Sequence, residues 1–463
     1  METGGKKNTR KLFIGYSSGD LTISIPLSVV MFFQLYFLTD IAGLSPGLAG
    51  WALLIGKFWD AVNDPIIGSF TDSVRHPMGR RRVLIAGGII PLSLFFFLLW
   101  IVPPFSQYLK AVYYALMIIL FDTAFTCVHV GYNSLTPELT SDYDERSTLN
   151  GWRMTFQLIG SLGAIAGLTL LGRVIPDPAG QYAAGAGIMA VICCIPMFAV
   201  LKLTKPFDNS PPSAMTVRDG VLETLRSKPF RLLVGMYLFS WTTASLMSAI
   251  LIYFVSYYLR MPESANYVVL AAQAGAILFI PLTVYLCRRF EKTIAFVIGS
   301  MSWIIALLGV FFVTPEHGIY ALPLALACGL GIATAYVVPW SMLADIIEYD
   351  QQKTGCRREG SYYAFASFFQ KMGTAGALWI TGQVMEFTGY ISPTASLPAP
   401  VQPESALRAI RIFMGPVPAV LLCGAIFLSI RFPISRESHR KLVEKLSADK
   451  SGVLPMETET EFD

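Results

Sequence analysis

The chain has 463 residues, of which 54% are hydrophobic and 14% charged, with a formal net charge of +4. A soluble chain carries about 25% charged residues, so a mean hydropathy of +0.55 excludes a string of water-soluble domains. Apolar runs of membrane-spanning length recur throughout and predict a polytopic, all-α membrane protein.

Twelve spans are predicted in chain order, at 13–39, 46–70, 83–102, 109–134, 150–172, 182–203, 230–258, 263–287, 292–313, 318–343, 361–388 and 407–430. The polar N-terminus and the length of the first apolar run predict a retained span, not a cleaved signal peptide. The expected organisation is a six-helix half over 1–203, a cytoplasmic linker over 204–229, a second six-helix half over 230–430 and a tail over 431–463. Of the 35 Lys and Arg, 27 fall in the tails and the even-to-odd loops or within one turn of them at the span ends. The positive-inside rule then predicts both termini in the cytoplasm, in a plasma membrane (a bacterial inner membrane). The basic loops need no nucleic-acid partner. The seven cysteines show no metal-ligand spacing.

Span 1 places Asp20 between Tyr16 and Ser24 in "YSSGDLTIS". Span 2 reads "GKFWDAVNDPIIGSF", with Lys57, Asp60 and Asp64 at spacings that put them on one helix face beside Asn63. A lipid-facing charge costs at least about 2.5–3.5 kcal/mol, so this face must point into the bundle. Pro65 removes a backbone donor and frees a carbonyl as a further cation ligand. The stripe reads as a cation-binding site or as a charge pair locking two helices. Span 4 carries a polar stripe of Asp122, Thr126, His129 and Asn133. It reads as interhelical glue or as ligands, Thr126 for a cation and His129 for a solute. In span 5, Arg153 lies about one turn inside the predicted end. It can snorkel, pair with a span 2 or span 4 acid, or bind a polar solute. Trp340 in span 10 and Trp241 in span 7 are aromatic platforms or packing residues. Lys371 in span 11 is too deep to snorkel and needs an acid, for which Asp60 or Asp64 is the candidate.

These segments resemble the glycoside–pentoside–hexuronide:cation symporters, the melibiose permease family of the major facilitator superfamily. The carrying motifs are "FWDAVNDPIIG", "YNSLTPELTSDYDERSTLNGWR", "LADIIEYD" and "FFQKMG", and the likeness covers roughly residues 10–430. The resemblance implies a major facilitator fold and a cation site of Asp60, Asp64, Asn63 and Thr126, holding Na⁺ or alternatively Li⁺ or H⁺. It also implies basic partners at Lys57 and Lys371, with Asp122 expected as a further charge partner, and a sugar contact at Arg153. His129 and Asn133 stand where the permease has Asp and Trp, and Asp20 is displaced from its span 1 Asp. "FTCVHVGYNSL" is similar to span 4 of the sodium-dependent lysophosphatidylcholine symporters.

The expected function is cation-coupled symport, by a monomer, of a small polar solute such as a sugar or glycoside, or of a lysolipid. The expected substrate residues are Asp20, His129, Arg153, Asn133 and Trp340. Loop acids and bases, Asp142, Asp144, Glu145, Arg146, Asp345 and Glu348, are expected to form ion pairs that break on inward opening. An intramembrane prenyltransferase is the weaker alternative, because "DAVND" with Asp72 lacks a facing acidic motif.

Overall fold

A computed structural model describes residues 11–73, 76–139, 143–204, 227–354, 359–393 and 400–433. Most of the expected linker 204–229 and tail 431–463 lies outside the described residues. The described residues form twelve long helices: α1 (Lys11–Ile41), α2 (Pro46–Ser73), α3 (Arg80–Leu99), α4 (Gln107–Leu139), α5 (Tyr143–Val174), α6 (Pro178–Leu203), α7 (Lys228–Tyr258), α8 (Pro262–Arg289), α9 (Lys292–Phe312), α10 (Ala321–Thr354), α11 (Glu359–Phe387) and α12 (Glu404–Ile430). α8 bends at Phe279, ahead of Pro281, and α12 at Gly415, ahead of Pro416.

Ten of the twelve are apolar enough along their length to cross a bilayer unaided. The other two are α2 and α11, the helices that carry the interior charges. They pack on each other, so each supplies the polar environment the other lacks. Lipid-facing stripes are the converse: α6 exposes Ile188, Val191, Ile192 and Ile195, one face at helical period.

The first six helices pack among themselves, with α4 against α2 and α3 and α1 against α5 and α6. The last six do likewise, with α7 against α11 and α12 and α10 against α8 and α9. α1 and α7 are the most enclosed helices and meet each other between the halves. Both finish in a π-turn, Phe37–Ile41 and Phe254–Tyr258. The two halves thus repeat this feature at corresponding places.

Glycine permits the closest crossing. A Cβ on Gly329 of α10 would lie 2.1 Å from the carbonyl carbon of Gly275 on α8. The two backbones touch, and no rotamer can make room. Gly329→Val is therefore expected to destabilise the second half by about 1–3 kcal/mol. A lowered melting temperature of the detergent-purified protein reads this; an unchanged one contradicts the crossing.

The largest departures from the expected boundaries are in α5 and α10. α5 begins at Tyr143 rather than near 150, because the charged stretch before it is helical but too polar for hydropathy to include. α10 begins at Ala321, after a 3₁₀ segment, and continues to Thr354, beyond the expected end at 343.

Candidate functional site

The α2 stripe points into the bundle and meets α11 and α4. Lys371 Nζ of α11 lies 2.8 Å from Asp60 Oδ1 and 2.6 Å from Asp64 Oδ2, and donates to the Asp60 carbonyl at 3.2 Å. Thr126 Oγ1 donates to the other Asp64 oxygen at 3.1 Å. Lys57 Nζ donates to both oxygens of Asp122, at 3.1 and 3.2 Å, and lies 4.0 Å from Asp60. The result is a chain of alternating charge: Asp122, Lys57, Asp60, Lys371, Asp64. It contains three carboxylates and two ammoniums. The lysine predicted to need an acid takes both candidates. Asn63 stands apart from the expected cation ligands: its amide is directed to the Asp122 carbonyl at 3.5 Å.

The donor set suits a small hard cation. Two carboxylates converge on one point, where the ammonium of Lys371 stands as a cation tethered to the opposite half, and the Thr126 hydroxyl holds the far oxygen of Asp64.

A second cluster lies further along α4. Arg153 Nε and Nη2 grip Asp20 at 2.8 and 3.2 Å, a forked pair that holds both groups in a fixed plane. The same guanidinium donates to Asn133 Oδ1 at 2.6 Å and Thr136 Oγ1 at 2.9 Å, and lies 4.9 Å from the Tyr132 ring centroid. Tyr132 Oη donates to Asp20 at 2.6 Å. With the Asn133 oxygen taken by Arg153, its amide nitrogen faces His129 Nε2 at 2.8 Å. Nε2 is then the acceptor, so His129 is neutral with its proton on Nδ1. The imidazole stacks on Phe125, with centroids 5.5 Å apart.

Four of the five expected substrate residues therefore come together: Asp20, His129, Asn133 and Arg153. Of the options for Arg153, the structure shows pairing: its guanidinium is forked on the buried Asp20 instead of reaching toward the helix end. Its acid is Asp20 of span 1, not an acid of span 2 or 4. Ser24 turns away from Asp20 toward α5, where a Cβ on Gly160 would meet its hydroxyl. Trp340 joins a different group. It stacks on Tyr363 at 5.7 Å and meets Tyr237 edge-on, while Trp241 packs on Tyr336 at 4.8 Å and donates to Thr374. The polar, charge-balanced cluster belongs to the first half and the aromatic group to the second. Tyr336 Oη approaches Met31 of α1 at 4.0 Å, joining the two.

Of the expected loop pairs, Asp345 accepts from Lys292 through both carboxylate oxygens, at 2.7 and 2.8 Å, within the second half. Asp142 and the side chains of Asp144 and Arg146 lie outside the described residues.

A third group, at the end of the bundle away from both termini, had no signal in the sequence. There Asp40 is buried beneath tyrosines of the opposite half.

Twelve helices in two six-helix halves, with buried ion pairs between α2 and α11, define a membrane transporter of the major facilitator fold. The chain belongs to the family described as "MFS/sugar transport protein", whose model matches residues 15–436. An uncharacterized symporter of Synechocystis is 31% identical, over 94% of this chain and 96% of that one. YagG of Escherichia coli, whose name is that of a glycoside/cation symporter, is 29% identical over 90% of each. Sodium-dependent lysophosphatidylcholine symporter 1-B of Danio rerio is 26% identical, over 96% of this chain and 91% of its own. Among solved structures, the nucleoside transporter NupG superposes with a TM-score of 0.63 at 12% identity, covering 90% of this chain and 98% of that one. That likeness carries the fold alone. Fold and relatives are those of transporters, not enzymes, so the prenyltransferase alternative falls away.

Proposed function

We propose that the chain is a monomeric cation-coupled symporter that carries a sugar or glycoside across a bacterial plasma membrane, with both termini cytoplasmic. The observation that carries this reading is the ammonium of Lys371 seated between Asp60 and Asp64. Three carboxylates against two ammoniums leave one negative charge uncompensated, and such a charge is costly inside a membrane. One monovalent cation, Na⁺ in the first instance with Li⁺ and H⁺ as alternatives, removes the imbalance by displacing Lys371 and taking Thr126 as a neutral ligand.

Displacement matters because Lys371 joins α11 to α2 across the two halves. Its release frees the halves to rock, which is the alternating-access step. Cation and solute share α4: Asp122 and Thr126 serve the first, His129 and Asn133 the second. A cation drawn to Asp64 shifts the same helix that positions Asn133 against Arg153. The Asp20–Arg153 pair is charge-neutral and rich in fixed donors and acceptors, as a hydroxylated solute requires, and the second half supplies aromatic rings for a sugar face.

A second reading, a lysolipid or similar amphiphile, is favoured by the rings of Tyr237, Trp241, Tyr336, Trp340 and Tyr363, which carry no charge and would accept an apolar tail. Thermal unfolding of purified protein with sugars, glycosides and lysolipids, in Na⁺ and in K⁺, separates the two. A sugar or glycoside that raises the melting temperature only in Na⁺ is the expected result. Stabilisation confined to lysolipid selects the second reading. Ligand stabilisation that is the same in Na⁺, Li⁺ and K⁺ at every pH tested removes cation coupling.

A further inference from the structure

We infer that Asp40, with Tyr253, Tyr257 and Tyr390, is the clasp that holds the outer gate shut, and that it works without a salt bridge. By the charge bias of the loops, the end of the bundle away from the termini is extracellular. Asp40 lies there in the π-turn that ends α1, only 7% exposed. Its Oδ2 accepts from Thr39 Oγ1 at 2.5 Å. Its Oδ1 accepts from Tyr390 Oη at 2.8 Å and also from Tyr257 Oη. Thr39 Oγ1 in turn lies 2.7 Å from Tyr253 Oη. Asp40 and Thr39 belong to the first half; all three phenols belong to the second.

The rings reinforce the hydroxyls. Tyr390 meets Tyr253 and Tyr257 edge to face, both at 5.6 Å, and Tyr36 meets Tyr253 at 5.5 Å. Among the described residues no basic side chain pairs with Asp40; Lys110 nearby spends its ammonium on the Ala42 carbonyl. The π-turns place these groups. α1 and α7 each insert an extra residue into the helical turn at the same level, which swings Asp40 and Tyr257 toward each other.

A carboxylate held by neutral hydroxyls makes a reversible closure. The buried anion loses hydration that the phenols only partly replace, and water restores it when the halves part. A buried ion pair would resist that separation more strongly. The clasp also lies over the main line of contact between the halves. α2 and α11 cross just beside it, where Gln383 and Glu386 bond the backbone of Gly47. The inference rests on alternating access and not on which solute or ion is carried.

The test reads the gate directly. Spin labels at Ser106→Cys, on the loop before α4, and Glu263→Cys, in the first turn of α8, both at this end, report its opening by pulsed dipolar distances. The background is the full chain, its native cysteines replaced by serine and its uptake retained. The parent is expected to show a dominant short distance. Asp40→Ala should move the open-to-closed ratio by about tenfold or more toward the long distance. The double variant Tyr257→Phe/Tyr390→Phe keeps the ring packing and should move it the same way. Should Asp40→Ala fail to fold, the phenylalanine pair decides. Distance distributions equal to the parent's in the folded variants overturn the clasp. Because neither Na⁺ nor solute is added, this outcome is separate from any failure of the symport reading.

Discussion

Asp64→Asn is expected to abolish uptake driven by a cation gradient while leaving the protein folded and in the membrane. The substitution turns a site of three carboxylates and two ammoniums into one of two and two, so no charge is left for a cation to neutralise. Lys371 keeps Asp60 at 2.8 Å and loses its shorter bond, to Asp64 at 2.6 Å. A cation that loses one of its two anionic ligands is expected to lose about two orders of magnitude in affinity, since each tenfold corresponds to about 1.4 kcal/mol. Uptake into proteoliposomes under an imposed Na⁺ gradient should fall to background. Gradient-driven uptake at the parent's rate sinks the assignment of Asp60 and Asp64 as the coupling site.

Arg153→Ala is the second large effect. It strips Asp20 of both forked bonds and leaves a buried carboxylate with Tyr132 as its remaining described donor. Breaking one partner of a buried pair costs about 3–5 kcal/mol, a large fraction of any protein's net stability. Arg153→Lys is no remedy, because a point charge cannot hold Asp20, Asn133 and Thr136 at once. The double variant Asp20→Asn/Arg153→Gln removes both charges and should recover most of the lost melting temperature without recovering transport. A single Arg153→Ala as thermostable as the parent contradicts the cluster. A double variant that transports normally shows that the pair is structural only.

The span 2 stripe and its partner on span 11 were legible because interior charge is expensive: three ionisable groups on one apolar helix must face inward, and a deep lysine must find an acid. Pairing within the stripe was less legible, since spacing places residues on a face but does not say that Lys57 would prefer Asp122 of α4. The partner of Arg153 was hidden because spacing along one helix does not say which neighbouring helix brings the acid, here Asp20 of α1. The clasp left no trace at all. Tyr and Thr near a span end read as ordinary interfacial residues, and a π-turn has no signature in hydropathy. Asp40 lies at a predicted span end, where an acid is cheap, and only the tertiary fold buries it.

The odd carboxylate of the α2–α11 site has an electrical consequence. If the site takes up one monovalent cation, as proposed, the unloaded carrier is one charge more negative than the loaded one. A potential negative inside the cell then does little to the loaded carrier's inward step. It acts on the return, pushing the negative empty site back toward the outside, with up to about 2.3 kcal/mol per elementary charge for each 100 mV. The membrane voltage would drive resetting of the carrier rather than delivery of its cargo, and cells that lost their potential would accumulate transporters stranded facing inward.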